Sequence, residues 1–72
     1  MNKDLFIIIG KNIKKYRLLK NYTIKDLAEI TNINISKLDN YEKNGVDGNI
    51  TFNELNLIST NLEINIIKLF EK

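Results

Sequence analysis

The stretch from Thr23 to Glu42, T-I-K-D-L-A-E-I-T-N-I-N-I-S-K-L-D-N-Y-E, constrains the fold of this chain most. It reads as two short helices joined by a tight turn. Thr23 stands where an N-cap belongs, and Asp26 can reach back to the free Thr23 amide in an Asp variant of the capping box. Leu27 and Ala28 then point inward. Asn32 falls where the chain must turn sharply, and Asn tolerates the left-handed conformation better than most residues. Asn34 can cap a second helix, Ile35 to Glu42, whose inner face is Leu38 and Tyr41. Helices that meet steeply across a short turn need a small residue at their closest approach, and Ala28 supplies it.

The rest of the chain divides around that stretch. No Pro occurs, so no helix is broken from inside. Phe6, Ile9, Ile13 and Tyr16 recur at helical spacing, which predicts one helix over residues 4–20 with Asn21 at the turn after it. Gly45 and Gly48 mark Lys43 to Asn49 as a loop. Thr51 with Glu54 repeats the capping-box spacing and opens a fourth helix with Leu55, Ile58 and Leu62 inside. Asn65 can cap a short fifth helix, Ile66 to Glu71. The proposed caps Thr23, Asn34, Thr51 and Asn65 each follow a hydrophobic residue (Tyr22, Ile33, Ile50, Ile64) and precede another by four (Leu27, Leu38, Leu55, Leu69), the spacing of the hydrophobic staple. In a chain that is 43% hydrophobic one such match is cheap, whereas four centred on good caps support the division. The expectation is a compact all-α, five-helix fold, one domain over residues 1–72.

A chain of 72 residues holds one core. It has no Cys and no His, so no disulfide staples it and no typical zinc site is available; no metal and no cofactor are expected. The same absence removes the commonest general base and the thiol nucleophile, which argues against an enzyme. The apolar run Leu5 to Ile9 is too short to span a membrane, and no small-residue cleavage site follows it, so a cytoplasmic protein is expected. Net charge is +2, but residues 1–25 carry +6 and residues 26–72 carry −4. One end of the domain therefore has a positive surface suited to phosphate, although a solvated Lys face would look the same.

From Ile9 to Phe70 the chain resembles the lambda-repressor-like (Cro/C1-type) DNA-binding domains. The resemblance is carried by I-G-K-N-I-K-K-Y-R, T-I-K-D-L-A-E-I-T, S-K-L-D-N-Y-E, I-T-F-N-E-L-N-L-I and N-L-E-I-N-I-I-K-L-F. It implies that the central helix-turn-helix sets its second helix in the major groove of double-stranded DNA. The family's reading positions fall on Asn34, Ile35, Ser36, Lys37 and Asn40. Asn40 can bond adenine through two atoms, Lys37 can reach guanine or phosphate, and Ile35 can touch a thymine methyl or tuck against the core. Thr23, Lys15, Lys25 and Lys43 would meet phosphates, though plain solvation fits Lys25 and Lys43 equally well. The family's helix 1 Arg and helix 3 Glu correspond to Arg17 and Glu42, and Arg17 is the only Arg present. Its planar fork suits a partly buried carboxylate better than a phosphate role.

The ending L-F and the opening I-G-K-N-I-K also look like the small dimeric controller proteins of restriction-modification systems. A homodimer is therefore expected, joined through Ile64, Ile66, Ile67 and Phe70, with Ile66 and Ile67 the more exposed in one subunit. Two-fold pairing would place two reading helices about one DNA turn apart on a palindromic operator. Three residues depart from the family pattern. Ile24 replaces a phosphate-binding Gln, Asp39 puts a negative charge on the reading helix, and Asp47 sits in a loop that is usually basic. They leave open an alternative, a protein-interaction module on the same fold such as an antitoxin or anti-repressor.

Overall fold

The computed structural model describes residues 3–72. Four α-helices follow one another: α1 (Lys3–Leu19), α2 (Ile24–Thr31), α3 (Ile35–Asn44) and α4 (Phe52–Asn61). A 3-10 helix (Ile66–Phe70) closes the chain, and the described residues contain no strand. The all-helical expectation holds, with one refinement. The fifth element is 3-10 rather than α, because five residues cannot complete many i→i−4 bonds. Asn65 caps it by accepting from the Ile67 amide, and Lys68 N–H bonds the Asn65 carbonyl in the tighter register.

The helix starts are built as the residues predict. Thr23 with Asp26 and Thr51 with Glu54 both form complete capping boxes. The Asn34 side chain accepts from the amides of Ser36 and Lys37. The helix ends use positive φ. Asn21 (φ 59°) and Glu63 (φ 59°) each close a helix in a Schellman motif, in which Tyr22 N–H bonds Arg17 O and Ile64 N–H bonds Ser59 O. Asn32 (φ 60°) makes the sharp turn between α2 and α3. α3 runs past its expected end to Asn44 and stops at Gly45 (φ 91°), whose amide still bonds Tyr41 O.

The core draws on every element. Ile9 and Ile13 of α1, Leu27 of α2, Leu38 and Tyr41 of α3, Ile58 of α4 and Leu69 of the 3-10 helix are fully or almost fully buried. All four staple pairs join this cluster, with Tyr22, Ile50 and Ile64 half-buried and Ile33 buried. Burying each such side chain contributes about 1.5–3 kcal/mol against a large entropy cost, so a fold this small depends on all of them. The loop after α3 belongs to the core as well: Val46 is buried and its amide bonds the Phe6 carbonyl of α1.

Two contacts that join α1 to the rest were not legible as pairs. Asn12 is buried and donates to the carbonyls of Leu69 (2.9 Å) and Glu71 (2.6 Å), so one amide fixes the 3-10 helix along α1. Gly10 lies directly against the Tyr41 carbonyl of α3, where any Cβ would overlap the backbone. No helix among the described residues is long and apolar enough to cross a membrane.

Candidate nucleic-acid interface

α3 is amphipathic in the sense that matters for recognition. Leu38 and Tyr41 fix its inner face, and Asn34, Ile35, Ser36, Lys37 and Asn40 are exposed. At 3.6 residues per turn, Ser36, Asn40 and Lys43 lie opposite the core stripe, while Lys37 sits on the flank nearer α4. The five expected reading residues therefore share the outer surface of one short helix.

Their side chains are not all free. Asn34 spends its Oδ1 on the cap. Asn40 Oδ1 accepts from Asn44 at 2.6 Å. Lys37 Nζ lies 2.7 Å from Glu54 Oε2 on α4 and above the Tyr41 ring. Lys43 pairs with Asp39 at 2.9 Å, an i,i+4 ion pair whose spacing is visible in the sequence. Asp39 thus offsets the cation beside it on the same helix. Ile35 and Ser36 carry no such tie, and Ile35 is exposed rather than tucked against the core.

The orientation of α3 is set from α1. Arg17 Nε and Nη2 donate to the two oxygens of Glu42 at 2.7 and 2.8 Å, and Nη1 donates to the Tyr22 carbonyl at 2.8 Å. Both side chains are almost withdrawn from solvent, 11% and 5% exposed. The Glu42 hydrogen bonds raise the Arg17 pKa, overcoming the burial that lowers it, so the cation is permanent. One guanidinium thereby connects α1, the entry to α2 and the end of α3.

Beside this pair, Lys11, Lys14, Lys43 and Asp39 line a cleft between α1 and α3. Lys15 and Lys25 are exposed, and Lys15 Nζ stands 5.1 Å from the Tyr16 ring centroid. Thr23 is exposed at the start of α2 with its hydroxyl committed to the capping box. Lys11 and Lys14 widen the cationic surface beyond the expected phosphate contacts. The α1 Lys-rich face had suggested such a surface without showing that it opens beside α3.

A second groove lies on the other side of α3, lined by Asn32, Asn34, Lys37, Asn53, Glu54 and Leu57 among others. Glu54 is its buried acid, with a side chain only 16% exposed. Burial works to raise its pKa, but hydrogen bonds from Lys37 and the Thr51 amide outweigh that, and the carboxyl is held below its ordinary value. Tyr41 is pushed up by burial first and stays a hydroxyl donor to Glu54 Oε1 at 3.3 Å.

This arrangement of five elements is shared with known proteins. The helix-turn-helix family HTH_3, of Cro/C1 type, matches residues 13–69. The chain belongs to the helix-turn-helix family. No curated protein sequence is significantly similar to the chain. Among solved structures, the N-terminal DNA-binding domain of SinR from Bacillus subtilis is 31% identical, with a TM-score of 0.80 over 90% of this chain and 93% of that one. SinR, the master regulator for biofilm formation, solved in complex with DNA, is 32% identical at a TM-score of 0.79, covering 88% and 98% of the two chains. A point mutant of the restriction-modification controller protein C.Esp1396I is 31% identical at 0.81, covering 97% and 86%. The resemblance drawn from the sequence is thus correct at the level of the family. These likenesses make this helix-turn-helix protein a non-enzymatic regulator-type domain.

The surface expected to join two subunits is graded. Ile64, Ile66 and Phe70 are half-buried against the core of their own chain, whereas Ile67 is 60% exposed. Ile66 is therefore less available than its position suggested, because the 3-10 register turns it toward the cluster. Leu18 and Leu19 at the end of α1 are also exposed.

Proposed function

We propose that the protein is a DNA-binding transcriptional regulator that inserts α3 into the major groove of a duplex. The observation that carries this reading is the exposed outer face of α3 beside the lysine cleft of α1. Groove-lining polar side chains and phosphate-directed cations then lie on one side of the molecule. The described structures of SinR and of the controller protein support the same reading. Ser36, Asn40 and Ile35 would meet base edges, with Asn34 and Lys37 constrained by their intramolecular bonds. Lys15, Lys25, Lys43 and Thr23 would hold phosphates. Binding as a homodimer through Ile67, with Ile64, Ile66 and Phe70 behind it, would pair two copies on a palindromic operator in the cytoplasm and repress by occupying it.

A titration of duplex binding against salt tests the proposal. Genomic duplexes should bind at low salt, with affinity falling steeply as salt rises. Binding that stays undetectable at low salt would refute it. Asn40→Ala should relax sequence choice, while Lys15→Ala should weaken all duplexes alike and flatten the salt slope.

A second reading, a protein-interaction module, draws on the exposed apolar residues Phe52, 73% exposed, Leu19 and Ile30, and on the Asp39–Lys43 pair that neutralises part of α3. A SinR–SinI complex is among the similar structures. Retained DNA binding that is lost on adding a protein partner would favour it over simple operator occupancy.

A further inference from the structure

We infer that Glu54 is a restraining residue, whose carboxylate holds the Lys37 ammonium against α4 and withholds that cation from a bound duplex. The inference rests on the duplex-binding reading above and adds a residue of α4 to what determines affinity.

The geometry is asymmetric in a way that matters. Glu54 cannot follow Lys37 outward. Its own amide donates to Thr51 Oγ1 at 3.0 Å, and its Oε1 accepts from Thr51 N–H and from Tyr41 O–H, both at 3.3 Å. The free oxygen, Oε2, is the one that accepts from Lys37 at 2.7 Å. The acid is therefore fixed by a helix cap and a buried phenol, while the lysine is the mobile partner. Lys37 also lies over the Tyr41 ring, a second attraction on the same side. To touch a phosphate or a guanine edge, Lys37 must leave all of these groups at once.

The other ion pair on α3 is built differently. Lys43 and Asp39 share one exposed helix face, 70% and 45% open at their side chains, so solvent screens the pair and the lysine swings freely. Lys43 can meet a phosphate without breaking anything anchored, and Lys37 cannot. The outer face of α3 thus presents fewer usable cations than its sequence contains.

The test uses the full chain and a labelled mixed-sequence duplex, read by fluorescence anisotropy across a salt series. Glu54→Gln keeps an acceptor for Thr51 and Tyr41 and suits the capping box, while releasing Lys37. One newly neutralised phosphate steepens the log affinity–log salt slope by about 0.9 and tightens binding roughly fivefold at about 0.1 M salt. Glu54→Gln in a Lys37→Met background should change affinity by less than about twofold, since no lysine remains to release. Wild-type binding with no gain in Glu54→Gln overturns the inference alone, as does an equal gain in the Lys37→Met background. Failure of both wild type and Glu54→Gln to bind at low salt overturns the duplex reading as well. A readout without substitution is the Lys37 side-chain NMR resonance of the wild-type protein: unmoved by saturating duplex it supports the restraint, and displaced it refutes it.

Discussion

Gly10→Ala sets two opposing effects against each other at one atom. Gly10 sits mid-way along α1, and an Ala in a helix interior is worth about 1 kcal/mol more than Gly. On propensity alone the variant is stabilised. The structure reverses that sign. A Cβ on Gly10 would lie 3.2 Å from the Tyr41 carbonyl carbon, 3.1 Å from Gly45 Cα, and well inside contact with the Tyr41 oxygen. Carbon normally approaches such an oxygen no closer than about 3.3 Å. All three obstacles are backbone, and none can rotate away. α1 and α3 must separate by roughly 1 Å, which also disturbs the Gly45 N–H bond to Tyr41 O that ends α3. Overpacking of this kind costs about 1–3 kcal/mol, more where main chain is involved. Set against the propensity gain, we expect a net loss of about 2 kcal/mol, and a fall in Tm of roughly 8–16 °C for a domain this size. Thermal unfolding followed by circular dichroism, with refolding checked for reversibility, measures it. A Tm equal to or above wild type would show that α1 and α3 are not in close backbone contact and would refute the packing argument.

Three further outcomes follow from the same geometry. Glu42→Ala strands a buried Arg17 guanidinium and should lose about 3–5 kcal/mol in urea unfolding, whereas Arg17→Met with Glu42→Leu should recover much of that loss; a single-variant loss under about 1 kcal/mol contradicts the buried pairing. Asn12→Ala removes both donors that hold the 3-10 helix and should cost about 1–3 kcal/mol while speeding amide exchange at Lys68 and Leu69; unchanged exchange there contradicts its role as the tie. Glu54 has a folded pKa below the ordinary value of 4.5, so its contribution is present above that pH and lost as pH falls through the depressed range. Lys37→Met should flatten this part of the acid limb, and an unchanged pH profile would mean the pair contributes nothing.

The fold was legible because its cues are local. Each of the four helix caps after α1 names itself by residue type and is confirmed by a neighbour at fixed spacing, as with Thr51 and Glu54 or Tyr22 and Leu27. Arg17 and Glu42 were legible only through family resemblance, since nothing in their spacing brings residues so far apart together. What escaped notice shares one character: a side chain, or its absence, meeting an element distant in sequence. Asn12 looked like one polar residue in an Asn-rich chain. Gly10 carried a faint signal, since a lone Gly inside a helix usually has a packing reason. The candidate site divides the same way. Its residues could be placed on α3 from periodicity, but whether each is free depends on Glu54, Asn44 and the cap, which only three dimensions reveal.

The mounting of α3 has a mechanical consequence. Its last turn is gripped from several sides, by Arg17 on Glu42, by Gly10 against Tyr41, and by the Val46 amide on Phe6 just beyond. Its first turn projects from the rest of the body with the Asn34 cap and one lysine tether. The helix is a cantilever, rooted at its C-terminal end and compliant toward its tip. Small errors in how the protein lands are absorbed at the tip, while the root keeps the angle of approach fixed.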